Sequence, residues 1–156
     1  MAELYVVLKW AHVLGATVLF GTGLGTAFHF WMAHRSGDAR TIAAAARVTV
    51  IADYAFTLPA VVLQPVTGMA LAHVAGYPLA SRWIVASVAL YVLAGACWVP
   101  VVFIQRRLRD IARRCAADGT ALDGEYARLA RWWLALGWPA FLALAAVIWL
   151  MIARPA

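Results

Sequence analysis

The sequence predicts an all-α polytopic membrane protein, an antiparallel four-helix transmembrane bundle. Four apolar runs, 4–33, 47–75, 82–105 and 131–153, each reach the ~20 residues that cross a ~30 Å hydrocarbon core. The chain of 156 residues is 65% hydrophobic and 13% charged, and its mean hydropathy of +0.82 excludes an ordinary soluble domain. Ten of its 13 basic residues fall in two of the gaps between runs. Lipid offers the backbone no hydrogen-bond partner, so each run must be helical. With four spans in 1–156, a single transmembrane domain uses nearly the whole chain.

The first run begins after Glu3 and is far longer than the apolar core of a signal peptide, so it reads as a retained span. Within it, Gly21 and Gly25 form a G-x-x-x-G pair, predicting close approach of a neighbouring helix. The following gap carries Arg35, Arg40 and Arg47. The second run contains Pro59 and Pro65, which invite kinks. Gln64 and Thr67 flank Pro65 and are candidates to satisfy the carbonyls it frees, or to line a small pathway in a broken helix. Gly76–Ser81 is a tight turn without a basic residue. After the third run, the loop 106–130 opens with Arg106, Arg107, Arg109, Arg113 and Arg114, and Arg128 and Arg131 follow. Leu108, Ile111 and Cys115 recur at helical spacing there, predicting an amphipathic extension lying near the headgroups.

By the positive-inside rule the two arginine-rich gaps are cytoplasmic, and both termini are periplasmic in a bacterial inner membrane. The net charge of +6 then meets anionic inner-leaflet lipid; no nucleic-acid partner is implied. Cys97 falls inside a span and Cys115 in a loop, so no disulfide is expected. Tyr5, Trp10, Trp31, Tyr77, Trp83, Trp132 and Trp133 lie near the predicted interfaces as an aromatic belt.

Ionisable side chains at membrane depth are costly and therefore informative. His12 near the outer end of helix one and His73 near the outer end of antiparallel helix two form the simplest pair for bis-imidazole ligation of a b-type haem. Lys9 or Arg82 would then meet its propionates. His29 and Asp53, each about one turn from the opposite ends of these helices, form a candidate interhelical hydrogen-bonded pair. His34 at the loop boundary reads as solvated.

The segments LKWAHVLGATVLFGTGLGTAFHFWMAHRSGD, LPAVVLQPVTGMALAHVAGYPL and LYVLAGACWVPVVFIQRRLRDIA resemble a bacterial family of predicted four-span integral membrane proteins without assigned function. More distantly, the start L-K-x-x-H-V followed by F-G resembles the first helix of J-type protoporphyrinogen oxidases and copper-resistance D-type membrane proteins. That resemblance implies haem binding by His12 and a counterpart at His73. The functional third-helix lysine of the oxidases has no counterpart, since Lys9 is the sole lysine.

The leading functional reading is a small haem redox protein in the outer half of the membrane, exchanging electrons with a quinone, porphyrin or protein partner. The alternatives are a cofactor-free transporter component, which with four spans requires homo-oligomerisation, and an accessory subunit. No motif of a soluble enzyme is present.

Overall fold

The computed structural model describes residues 2–155. Among them the chain forms α1 (Ala2–Ser36), α2 (Ala39–Ala52), a π turn (Asp53–Thr57), α3 (Leu58–Val74), α4 (Arg82–Asp118) and α5 (Gly124–Ala153). The helix α2, the π turn and α3 run on as one span, giving four helices long and apolar enough to cross a membrane. They alternate in direction, so the described ends of α1 and α5 share one end of the bundle and the arginines gather at the other. These are called below the terminal end and the arginine-rich end.

The helices outrun the apolar segments. Helix α2 starts at Ala39, not at 47, because Gly37 takes a left-handed turn (φ 68°) and Asp38 caps it. The Asp38 carboxylate accepts from the Thr41 backbone N–H at 2.8 Å and the Thr41 hydroxyl at 2.6 Å. Those two bonds hold its carboxyl below the ordinary carboxylate range. Helix α4 likewise continues to Asp118, ending where Gly119 adopts φ 66°. Helix α5 begins at Gly124 rather than 131, capped by Asp123, which accepts from the Tyr126 N–H at 2.9 Å. The loop 106–130 thus contracts to five residues.

At 37 residues α4 is about 55 Å long, well beyond a hydrocarbon core of about 30 Å. Its extension does not lie on the headgroups. Leu108 and Ala112 are fully buried and Ile111 nearly so, packed with Ile42, Ala45, Ala46 and Tyr126 in one cluster. The apolar stripe at 108, 111 and 115 was read at the right period but faces α2 and α5 instead of lipid. His34, expected in solvent, stacks on Tyr126 and meets its hydroxyl at 3.1 Å.

Packing is uneven along the bundle. Helix α4 packs extensively on α5 and α2, and α1 packs on α3 and α2. By contrast α1 touches α5 only slightly, and α3 makes no substantial contact with α4 or α5. The arginine-rich half is therefore closed, whereas the α1–α3 and α4–α5 pairs part toward the terminal end. Between the helices themselves, among the described residues, one hydrogen bond spans the gap: the Tyr91 hydroxyl donates to the Val61 carbonyl at 2.7 Å. Val61 lies four residues before Pro65, so its carbonyl is the one proline leaves without a helical donor. Kink repair at Pro65 thus comes from Tyr91, not from Gln64 or Thr67. Tyr91→Phe is expected to lower stability by about 1 kcal/mol, read as a fall in thermal midpoint in detergent.

Gly21 and Gly25 do not mediate packing within the chain. Both are exposed, and nothing lies within 4 Å of where a Cβ would stand. Replacing either with Leu is expected to change stability by no more than about 0.5 kcal/mol. A large loss in detergent melting would place a second copy of the chain on this face.

Candidate ligand cavity at the terminal end

Where the two helix pairs part they enclose a cavity of about 500 Å³, within the range of small-molecule sites. Its lining is overwhelmingly apolar, from Val13, Leu19 and Phe20 on α1 to Leu144 and Val147 on α5. The exceptions are few: Tyr5, Lys9, His12, Gln64, Tyr77, Ser87, Tyr91 and Arg154.

His12 sits half-buried in this wall, placed by two glycines. Gly68 on α3 would carry a Cβ only 3.1 Å from the imidazole Cε1, so the ring lies in the space that side chain leaves. Gly15 does the same for Gln64, whose Nε2 would stand 2.6 Å from an added Cβ. Gln64 in turn donates to the His12 carbonyl at 2.9 Å. Among the described residues these are the close-approach glycines, and neither belongs to a G-x-x-x-G pair that would mark it in the sequence.

The network favours one histidine tautomer. Thr67 has one hydroxyl proton, and it goes to the Leu63 carbonyl at 2.7 Å. Its oxygen, 2.9 Å from His12 Nδ1, is then free to accept, which suits the tautomer with hydrogen on Nδ1. The neutral ring then presents Nε2 as a bare lone pair, with no partner among the described residues. Orientation of a ring by a hydrogen bond at its other nitrogen is the arrangement that ligating histidines use.

The other expected site residues divide. Lys9 lines the cavity, its Nζ 5.8 Å from the Tyr5 ring centroid. Arg82 is exposed and outside the lining; Arg154 takes that place, hydrogen-bonding the Tyr77 hydroxyl with its guanidinium 5.1 Å over the ring. His73 is exposed and also outside the lining. It follows Gln64 by nine residues, about two and a half helical turns, which puts it on the opposite face of α3. A second imidazole facing His12 is thus not assembled.

His29 and Asp53 do not pair either. His29 is exposed, while Asp53 is buried and faces Trp98 and Gln105 of α4. With the Gln105 amide assigned from its surroundings, its nitrogen donates to Asp53 Oδ2 at 2.7 Å and its oxygen accepts from the Trp133 indole at 3.1 Å. Trp133, expected in the interfacial belt, is a core residue crossing Phe30 edge-on at 5.1 Å. Gln105 was the signal available: an amide at the end of an apolar run needs a partner.

Among the described residues no three His, Cys, Asp or Glu side chains gather as a metal-ion site. No curated protein and no solved structure matches the chain. Residues 6–155 match the family described as predicted integral membrane protein (DUF2269), and with nearly its whole length covered the chain belongs to that family.

Proposed function

We propose that this integral membrane protein binds a membrane-dissolved, amphipathic molecule in the cavity between its helix pairs. The apolar body of the ligand lies along α1 and α5, and an acidic group meets Lys9 and Arg154 at the mouth. The observation that carries the reading is the His12 imidazole held at Nδ1 by Thr67, its Nε2 without a partner among the described residues, in an otherwise apolar wall. By the positive-inside rule the arginine distribution supports a terminal end on the periplasmic side of a bacterial inner membrane, with the ligand entering from the outer leaflet.

A b-type haem belongs to this ligand class, with His12 as the protein's single imidazole and Lys9 and Arg154 at the propionates. When bound, its iron would supply one-electron redox chemistry. A quinol donating a hydroxyl to Nε2 is the other member that the wall suits. A transport pathway through Gln64 and Thr67 finds less support, since both side chains are committed to holding α1.

The test is to purify the protein from membranes, record its absorption spectrum and identify extracted lipophiles by mass spectrometry. A Soret band marks haem, and a stoichiometric quinone marks the second member. In either case His12→Ala is expected to lower occupancy at least about tenfold, the equivalent of one hydrogen bond to a buried partner. Thr67→Val should weaken binding less, by releasing the tautomer. Failure of the purified protein to retain or take up haem or quinol above the His12→Ala background overturns the reading.

A further inference from the structure

The polar centre at the π turn is separate from the cavity and unused by it. Asp53 is 5% exposed, within an apolar span, and its hydrogen bond runs to the neutral Gln105 amide. The Thr57 hydroxyl and the Trp98 indole flank the carboxyl. No cation answers it: the ion pairs among the described residues are Arg107–Glu125 and Arg109–Asp110. From α4 it faces Gln105 and Trp98, and Trp133 of α5 stands behind Gln105, all uncharged; His29 on α1 and Arg47 on α2 are exposed and form no ion pair with it.

Thr57 adds an independent sign. Thr17, Thr26, Thr49 and Thr67 each return their hydroxyl to the carbonyl four residues back. For Thr57 that carbonyl belongs to Asp53, and the π turn gives it to the Leu58 N–H. Its Oγ1 is left buried without a partner. A cavity of about 180 Å³ lies beside the carboxyl, lined by Tyr54, Leu58, Trp98, Val102 and Phe103.

A lone carboxylate at this depth is strongly disfavoured. A metal ion is a poor remedy, since the Gln105 oxygen is taken by Trp133 and its amide hydrogens point at Asp53. We propose that Asp53 is a proton-binding site: one carboxyl oxygen accepts from Gln105, and the other takes up and releases a proton beside the Thr57 hydroxyl. The exchange is carboxylate plus hydronium to carboxylic acid plus water, with no other bond changed.

Infrared spectroscopy of the full chain in lipid nanodiscs at neutral pH tests this. The carbonyl stretch of a protonated carboxylic acid is expected, shifted in D₂O, lost in Asp53→Asn and retained in Asp110→Asn. Thr57→Val should move the band without removing it, which keeps the test decisive if Asp53→Asn does not fold. Absence of the band in the wild type, its indifference to both variants, or its loss on adding sodium at constant pH overturns the proposal.

Discussion

Replacing Leu108 with Ala lowers stability by about 2–5 kcal/mol. Leu108 is fully buried where α2, α4 and the start of α5 converge, in the part of α4 that outruns the hydrocarbon core. There the alternative environment is water or headgroup rather than lipid tails, so the lost transfer term and the cavity act together. Thermal unfolding in detergent measures the effect, with exposed Leu134→Ala as the control. Equal midpoints for the two variants would show that the extension lies loose on the membrane surface, as its arginine content alone suggests.

Gln105→Leu has a comparable effect for a different reason. Leucine nearly matches the glutamine in volume, so little cavity forms. What is lost is the shared partner of Asp53 and Trp133, both buried. Stranding two polar groups costs about 1–3 kcal/mol each. The double variant Asp53→Leu with Gln105→Leu should recover part of the loss, because the carboxyl no longer needs a donor. If the single and double variants unfold at the same temperature, the amide does not serve Asp53.

The sequence carried the number and alternation of the spans because those follow from hydrophobic runs and bilayer thickness. Which faces meet was far less legible. Helix α1 is apolar almost all round, so no periodicity separates its lipid face from its protein face. His12 and Lys9 could be singled out by their cost in lipid. Whether His73 joined them depended on the rotation of α3, which Gly68 and Gln64 set through contacts with α1. Asp53 was rightly suspected and wrongly partnered, since its mate stands 52 positions on, on a helix the pattern ended at that residue. Outside the hydrocarbon, in the tail of α4, the stripe at Leu108, Ile111 and Cys115 did mark a face packed into the core; the missing information was which neighbour covered it.

The bundle's uneven packing has a mechanical corollary. One half is a stem, where four helices are locked by interdigitated apolar side chains and a buried amide; the other is a pair of tines linked midway by the Tyr91 bond and tied at their tips by the 75–81 turn and by Arg154 on Tyr77. With the tips tied, elastic displacement is greatest between stem and turn, as in the bow of a hairpin spring. Guests of different thickness can then be accepted by small changes in tine separation, without disturbing the hydrogen bond that aims His12, because both its partners ride on the same tine.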